Sequence, residues 1–191
     1  KNGSVSKYYF FGYADLLSKK LIDKDTGFNV GSISKSVTAW GVMKLVQEGK
    51  IEIDAPIQNY ITRWEIPKSP YDAKEVTVRR LLNHTSGLSQ HAVAQFELNE
   101  TVPTLEAVMS GYANMDGEKI RLVREPGTKW SYSGGGFTLL QLMIEEVTNE
   151  QFDVFMEQEI LHPLGMFNSS FQPDNEMLKT RAKPYDRNGK E

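Results

Sequence analysis

A serine and a lysine stand three positions apart at the start of an apolar helical pattern, within the segment Gly31–Trp40. On an α-helix this spacing places the Ser32 hydroxyl and the Lys35 amine on one face, within reach of each other. The pattern therefore predicts a helix that presents two reactive side chains together. The apolar residues of the same segment point elsewhere and are expected to be buried: Ile33, Val37 and Trp40.

The Ser32 and Lys35 pair allows two interpretations. A serine hydroxyl is a weak nucleophile until a neighbouring base takes its proton, and a lysine serves as that base only when it is neutral. The positive end of the helix dipole and an apolar environment both favour a neutral amine. Alternatively, Ser32 is an ordinary N-cap whose oxygen accepts a backbone N–H. This segment alone leaves both interpretations open.

The composition is that of one globular domain, with 39% hydrophobic residues, 25% charged residues and a net charge of −3. No basic run indicates a nucleic-acid partner, and no apolar stretch approaches the roughly 20 residues of a membrane helix. Cysteine is absent, which excludes disulfides, thiolate nucleophiles and cysteine metal sites. His84, His91 and His162 lack the spacing of a metal site, so we expect neither a metal nor another cofactor.

Helical patterns dominate the middle of the chain, and strands are expected near its start. Capping residues and apolar spacing predict helices over about 33–48, 56–61, 77–82, 104–113, 134–148 and 152–161. Gly49 is expected to end the first helix. Thr77 and Thr104 are expected to cap the helices that begin there, and Asn114–Gly117 is expected to end the helix that begins at Thr104. Alternating or aromatic segments predict strands over 7–15, 28–30 and 51–53, which would set Ser32 at the edge of a sheet.

A second segment of chemical interest lies between two predicted helices. A Pro-Gly turn at 126–127 leads to Tyr132, Ser133 and three glycines, which allow a close approach of the backbone and place Tyr132 before a helix N-terminus. A phenol near a lysine and a helix dipole is better tolerated as phenolate, so Tyr132 and Lys35 could pass a proton from Ser32 to a leaving group. The alternative is a structural tyrosine that is hydrogen-bonded in the core.

Four segments occur in order along the chain: Gly31–Ser36, Leu81–Leu88, Pro126–Ser133, and His162–Met166 followed by Ser170–Phe171. Within the second, residues 83–88 also have the composition of a solvated turn. Together the four resemble the serine beta-lactamase and penicillin-binding protein superfamily, in its class C beta-lactamase-like branch, which also contains D-alanyl-D-alanine peptidases and esterases. The resemblance implies an α/β (α+β) beta-lactamase-like fold and a location outside the cytoplasm.

The resemblance also implies roles for individual residues. By it Ser32 is the acylated nucleophile, Lys35 its activating partner, and Tyr132 the general base or acid. The backbone N–H of Ser32 would be half of an oxyanion hole. The chain departs from the family at Gly134, where many members have an asparagine that helps to bind the substrate.

The family's third motif, a Lys/His-x-Gly on a strand, has no candidate after Phe171. We therefore expect residues 1–191 to be an N-terminal fragment of a single beta-lactamase-like domain. The fragment would contain the helical region and the first strands, without the C-terminal part of the sheet. The missing segment would follow in a longer protein or belong to a separate chain. Lys1 is not a Met and begins no signal-peptide pattern, which suggests removal of a precursor segment.

The leading hypothesis is a metal-independent serine hydrolase that forms an acyl-enzyme on an amide, lactam or ester, such as a D-amino-acid peptide. Its partners would be a small-molecule or peptide substrate and the missing C-terminal segment, without which the fragment is expected to be inactive. A class C-type beta-lactamase is an alternative that Gly134 disfavours. A penicillin-binding sensor that does not turn over, or a non-catalytic interaction protein, is the alternative from another class. The rate of deacylation separates these hypotheses.

Overall fold

The computed structural model describes residues 3, 5, 7–89, 101–112 and 118–190. Its strands and α-helices are, in chain order, β1 (Tyr13–Asp15), β2 (Lys20–Leu21), α1 (Ile33–Gln47), α2 (Val78–Leu82), α3 (Leu105–Met109), α4 (Gly134–Thr148), α5 (Phe152–Met156) and α6 (Asn175–Thr180). Short 3₁₀ helices cover Ile57–Asn59 and Ala73–Glu75, and a π-helical turn, Glu157–Leu161, continues α5. His91 and Asn114–Gly117 lie outside the described residues, but the helix that was predicted to end at Asn114–Gly117 already ends at Met109, two residues before Gly111 with its φ of 100°.

Helix α4 forms the centre of the hydrophobic core, and α1, α2, α3 and α5 all pack against it. The helix begins after Ser133, whose Oγ accepts the N–H of Gly136 at 3.1 Å, and it ends at Asn149 in the left-handed conformation. Burial of a large aliphatic side chain stabilises a fold by about 1.5–3 kcal/mol. Five such side chains of α4 are completely buried: Leu139, Leu140, Leu142, Met143 and Ile144.

Helix α1 meets the core through a narrower face than the sequence predicts. Gly41 allows a close approach to α5, since a Cβ atom there would lie 2.6 Å from the Sδ atom of Met156. Ile33 and Trp40, which were expected to be buried, are 64% and 51% exposed, whereas Val37 is half-buried against the core. The prediction fails because the core takes only one stripe of the helix: Thr38, Gly41, Val42 and Leu45.

The predicted helices are confirmed where local capping signals mark their ends. Gly49, with a φ of 69°, follows the end of α1. The hydroxyl of Thr77 accepts the N–H of Arg80 at the start of α2, and the hydroxyl of Thr104 accepts that of Ala107 at the start of α3. Helix α4 has the predicted bounds, and α5 with its π-helical turn covers the predicted segment 152–161.

The predicted strands are mostly wrong. Of the segment 7–15, only β1 is a strand, paired antiparallel with β2, and the segments 28–30 and 51–53 are not strands. Gly27 instead makes an isolated parallel bridge to Arg181, and a loop leads from there to Ser32. A strand exists only through a partner, and the described residues supply none beside 28–30. Ser32 therefore does not follow a strand at a sheet edge.

The segment after α6 ties the N-terminal hairpin to the rest of the chain. The N–H of Lys183 donates to the carbonyl of Ala14 at 2.8 Å, and the Tyr185 hydroxyl donates to Asp15 Oδ1 at 3.0 Å. Burial raises the pKa of Asp15, but hydrogen bonds from Ser18, Tyr185 and Leu17 outweigh this and lower the pKa to about 2. The hairpin is thus held by polar contacts rather than by an apolar core.

Candidate active site

Ser32 lies at the first turn of α1, at the N-cap position. The turn is formed by Gly31, whose N–H donates to Asn29 Oδ1 at 2.9 Å and whose φ of 52° suits a residue without a side chain. The Oγ atom of Ser32 makes no capping hydrogen bond. It lies instead 2.7 Å from the hydroxyl oxygen of Tyr132, a residue 100 positions away. The capping interpretation of this side chain is therefore wrong.

The structure brings together all three of the residues singled out from the sequence. Lys35 Nζ donates a hydrogen bond to Ser32 Oγ at 3.3 Å and lies 5.2 Å from the centroid of the Tyr132 ring. Helix α1 supplies the serine and the lysine one turn apart, and the loop before α4 supplies the tyrosine. A hydroxyl, an amine and a phenol thus meet in one hydrogen-bonded group, which we call the trio.

Electrostatics favour the ionised form of the phenol. Burial raises the pKa of Tyr132, but hydrogen bonds with Lys35 and Ser32 and the charge of Lys35 outweigh it, and the pKa is lowered. A phenolate that contacts the serine hydroxyl is placed to accept its proton. The alternative of a purely core tyrosine does not describe this residue, because its hydroxyl faces Ser32 in a cavity.

The loop between Asn83 and Ser89 holds the segment that carries Tyr132. Its middle residues, Ser86–Leu88, are buried, so the composition that suggests a solvated turn is misleading. Only glycine fits at position 87, where φ is 77° and a Cβ would lie 2.3 Å from the Arg124 carbonyl oxygen. Three carbonyls of the loop accept N–H groups of the facing segment: His84 from Ser131 at 2.8 Å, Thr85 from Gly127 at 2.8 Å and Gly87 from Val123 at 3.0 Å.

His84 packs directly on the tyrosine, with ring centroids 4.6 Å apart. Its Nδ1 accepts the N–H of Ser133 at 3.3 Å, so the neutral imidazole has its proton on Nε2. Burial and the charge of Lys35 lower the pKa of His84, which favours that neutral form. The sequence analysis assigned no role to His84, although His84 lies within Leu81–Leu88, one of the four segments that resemble the family.

The trio opens into a cavity of about 520 Å³ between α1 and α4. The described residues that line it include the trio, three phenylalanines and several polar side chains: Ser32, Ser34, Lys35, Thr38, Tyr132, Gly134, Phe137, Thr138, Gln141, Phe152 and Phe171. Gly134 contributes no side chain to this space. The cavity has the dimensions of a small-molecule site with a few convergent polar groups.

Two negative observations apply to the part of the chain that the structure describes. No three His, Cys, Asp or Glu side chains there are grouped so that they could hold a metal ion. None of the helices among those residues has the length and apolar character needed to cross a bilayer.

Comparisons with known proteins agree with this architecture. The beta-lactamase family model matches residues 1–191. Penicillin-binding protein 4* of Bacillus subtilis (strain 168) is 30% identical over 166 residues, which are 87% of this chain and 35% of that protein. The octameric penicillin-binding protein homologue from Pyrococcus abyssi has a TM-score of 0.78 at 28% identity, covering 100% of this chain and 44% of the other.

A D-amino acid amidase from Ochrobactrum anthropi SV3, solved with L-phenylalanine amide, has a TM-score of 0.74 at 28% identity over 91% of this chain and 46% of the amidase. This chain spans only 35% to 39% of the length of the curated relatives that it matches. The beta-lactamase-like fold expected from the sequence is confirmed by these relatives. The match over residues 1–191 shows that the chain belongs to the beta-lactamase family, within the superfamily of serine beta-lactamases and penicillin-binding proteins.

Proposed function

We propose that the protein containing this chain is a serine hydrolase that cleaves an amide or ester through an acyl-enzyme on Ser32. One observation supports the proposal above the others. The Ser32 hydroxyl oxygen is 2.7 Å from the Tyr132 hydroxyl and 3.3 Å from Lys35 Nζ. A nucleophile within hydrogen-bond reach of a base, with that base oriented by a third group, is the arrangement that activated serines require.

In the proposed acylation, the Tyr132 phenolate takes the proton of Ser32 as Oγ attacks the carbonyl carbon. The bond from that carbon to the leaving nitrogen or oxygen then breaks, and the leaving group receives the proton from Tyr132. In deacylation a water molecule gives its proton to Tyr132 and attacks the acyl carbon. The bond from that carbon to Ser32 Oγ then breaks, and Oγ takes the proton from Tyr132, which releases a carboxylic acid and restores both Ser32 and the phenolate. Lys35 stabilises the phenolate throughout, and such proton transfer contributes about 10²–10⁴ in rate.

The backbone N–H of Ser32 is the proposed first oxyanion donor. It donates to no acceptor among the residues that the structure describes, so it is available to the oxygen of a tetrahedral intermediate. Loss of one such donor costs about a hundredfold or more in rate. We propose that the second donor, and the side chain of the third family motif, come from a segment beyond residues 1–191.

The same segment would complete the domain, of which residues 1–191 form the N-terminal part. The outer surface beside the trio supports this proposal, because apolar side chains there are exposed: Phe28 by 55%, Val30 by 52%, Ile33 by 64% and Trp40 by 51%. Several large apolar side chains exposed near one another in sequence are expected where a face is covered in the complete protein.

A peptide or small amide is the proposed substrate, by analogy with the D-amino acid amidase and penicillin-binding relatives. Hydrolysis of a lactam is a weaker candidate, because Gly134 has no side-chain amide to hold the substrate beside Tyr132. We propose that the reaction takes place outside the cytoplasm, as the family resemblance implies. Detection of the full-length protein in the extracytoplasmic fraction of its source cells would test the location.

The proposal is tested by intact-mass measurement on the full-length protein mixed with an activated D-alanyl ester and, separately, a penicillin. With the ester, a hydrolase should gain the acyl mass and lose it within seconds to minutes, with release of the carboxylic acid; with penicillin, it should gain the adduct mass, whether or not that adduct is then released. Ser32→Ala should abolish both, whereas Ser36→Ala, at an exposed serine of the same helix, should not. A lasting adduct with the ester indicates a sensor, and no adduct with either compound indicates an interaction protein. Either result contradicts the proposed function.

A further inference from the structure

His84 contacts Tyr132 and both of its neighbours in the chain. The backbone carbonyl of His84 accepts the N–H of Ser131 at 2.8 Å, and its Nδ1 accepts the N–H of Ser133 at 3.3 Å. Between these two hydrogen bonds, the imidazole packs on the phenol ring of Tyr132, with ring centroids 4.6 Å apart. One residue thus holds three consecutive positions of the segment that carries the phenol. We call this set of contacts the histidine clamp.

The backbone of His84 has an unusual conformation, with a φ of 61°. Among the described residues other than glycine, Lys19 and Asn149 also have a positive φ, but Lys19 lies in the turn between β1 and β2 and Asn149 ends α4. This region is uncommon for residues with a side chain, although His, Asn and Asp enter it most readily. Such outliers are concentrated at functional sites, where the surrounding structure maintains them. At His84 the carbonyl and the side chain both bond to the facing segment 131–133.

The imidazole of the clamp is surrounded by aromatic rings and by one positive charge. The ring centroid of Phe137 lies 5.4 Å from that of the imidazole, and Trp130 meets it edge-on at 6.0 Å. Two elements present ionisable groups to it: Lys35 acts on it from α1, and Tyr132 packs on it from the segment before α4. Its own loop, residues 83–89, has no other ionisable side chain. Burial lowers the pKa of the imidazole, and the charge of Lys35 lowers it further.

Only the neutral imidazole can complete the clamp. Its Nδ1 accepts the N–H of Ser133 through a lone pair, which requires the proton to be on Nε2. A second proton would turn Nδ1 into a donor that faces another donor, and Lys35 would repel the new positive charge. Ser133 is buried, so its N–H would lose this acceptor where water has little access. Protonation of His84 therefore removes one of the contacts that hold the phenol.

Building on the hydrolase proposed above, we infer that His84 is a positioning residue: its neutral ring holds the Tyr132 hydroxyl within reach of Ser32 and Lys35, and its protonation releases the phenol. His84 is not among the described residues that line the cavity, so it acts through Tyr132 rather than on the substrate. A misplacement of about 1 Å can reduce a rate by about a hundredfold. The clamp therefore adds a loss of activity in acid that is separate from the protonation of Tyr132 itself.

Two variants of the full-length protein separate the acceptor from the rest of the side chain. His84→Asn places an amide oxygen near the position of Nδ1, accepts a positive φ and does not titrate, whereas His84→Ala has no acceptor. On the D-alanyl ester we expect His84→Ala to lower kcat by about thirtyfold with little change in KM, and His84→Asn to lower it less than about fivefold. His162→Asn, at an exposed histidine, is the control and should change neither parameter.

The pH dependence distinguishes the clamp from a purely structural role. The ratio of kcat/KM between the wild type and His84→Asn should be constant from pH 7 to 8 and fall by about tenfold at pH 4.5, because only the wild type loses the clamp by protonation. Circular dichroism at each pH restricts the comparison to folded protein. Three results would overturn the inference: His84→Ala keeps the wild-type kcat, the two variants lose activity equally, or the ratio does not change with pH.

A measurement that needs no activity separates failure of the clamp from failure of the proposed function. Tyrosines labelled with ¹³C at Cζ give signals that report phenol ionisation, and Tyr132→Phe identifies the signal of Tyr132. Burial raises the pKa of Tyr132, but its contacts with Lys35 and Ser32 outweigh this. Release of the phenol in His84→Ala should therefore raise that pKa toward the ordinary value of about 10.

An unchanged Tyr132 pKa in His84→Ala would reject the clamp, even in an active hydrolase. A raised pKa in a protein that never acylates Ser32 would support the clamp and reject the proposed function. If His84→Ala does not fold, the same titration of His84→Gln decides between these results, because a glutamine has no acceptor at the position of Nδ1.

Discussion

The helical core and the outer surface around the start of α1 differ sharply in how completely they are packed. Around α4, the apolar side chains are buried almost without exception. On the N-terminal segment and the outer face of α1, large apolar side chains face solvent: Phe11 and Leu17 are each 80% exposed, Leu21 65%, Ile33 64% and Trp40 51%. The first region is therefore a packed hydrophobic core, whereas the second leaves much of its apolar surface in contact with solvent.

The trio lies on the border between these two regions. Tyr132 is fixed from the closed side, by the loop that contains His84 and by the start of α4. Ser32 is exposed on the open side. We propose that the packed region positions the proton-transfer groups, and that the groups that stabilise the substrate's developing charge come from a segment that covers the exposed region.

The largest effect is expected for Tyr132→Phe. Removal of the hydroxyl leaves Ser32 without its proton acceptor, so we expect acylation of the full-length protein to slow by about a thousandfold, within the usual range for a general base. Because the ring remains packed on His84, the melting temperature should hardly change. Stopped-flow labelling with an activated ester measures the rate, and Tyr112→Phe, at a tyrosine that is 69% exposed, is the control. Normal labelling by Tyr132→Phe would remove the phenol from the mechanism.

Lys35→Ala should slow acylation by about a hundredfold, a general acid–base magnitude, without unfolding the protein. Lys35 also lowers the pKa of Tyr132 through its hydrogen bond and charge. Its loss should therefore raise that pKa and move the ascending limb of the pH–rate profile to higher pH. The profile is measured from pH 6 to 10 for both proteins. An unshifted limb with a reduced rate would mean that Lys35 acts on a group other than Tyr132.

The two regions also differ in how well the sequence predicts them. Helices α1, α4 and α5 follow from apolar spacing and from local caps such as Ser133 and Gly49, which need no distant partner. Strands over 7–12, 28–30 and 51–53 were predicted wrongly, because a strand depends on a neighbour that its own residues do not specify. Helix α6 was missed although Asp174 caps it, accepting the N–H groups of Glu176 and Met177.

For the site, motif spacing and family resemblance together selected Ser32, Lys35 and Tyr132, which the structure brings into hydrogen-bonding distance. The packing of His84 on Tyr132 could not be predicted, because it depends on a contact between two segments that are about 50 residues apart in the sequence. The exposure of Ile33 and Trp40 was missed for a similar reason. Periodicity identifies a helix, but its neighbours decide which face is buried.

A substitution at a buried position of α1 should lower the free energy of unfolding much more than one at an exposed position of the same helix. In residues 1–191, we expect Leu45→Ala, at a completely buried position, to lower the free energy of unfolding by about 2–5 kcal/mol. Trp40→Ala should change it by about 0.5 kcal/mol or less, as at an ordinary exposed site. In the full-length protein the cost of Trp40→Ala should rise. Urea unfolding of both lengths gives the values, and an equal Trp40 effect in both would contradict a covering segment.

Protonation of His84 is expected to have a smaller effect on the free energy of unfolding. Its pKa is lowered in the folded state, so the unfolded state binds more protons near pH 6.5 and stability falls as the pH falls through that value. His84→Gln should remove this part of the acid dependence. Urea unfolding at pH 8 and pH 5.5 measures it for both proteins. An identical pH dependence in the variant would show that another group is responsible.

The most direct test of the central claim compares residues 1–191 with the full-length protein on the same D-alanyl ester. The claim is that this chain holds the nucleophile and its proton-transfer groups, while the rest of the oxyanion site lies in a further segment. We expect the full-length protein to turn over, with Ser32 as the one acylated residue in peptide mapping, and 1–191 to be slower by a hundredfold or more. Equal turnover by 1–191, abolished by Ser32→Ala, would show that the site is complete without that segment. Acylation of Ser34, Ser36 or Ser133 with none on Ser32 would contradict the assignment of the nucleophile.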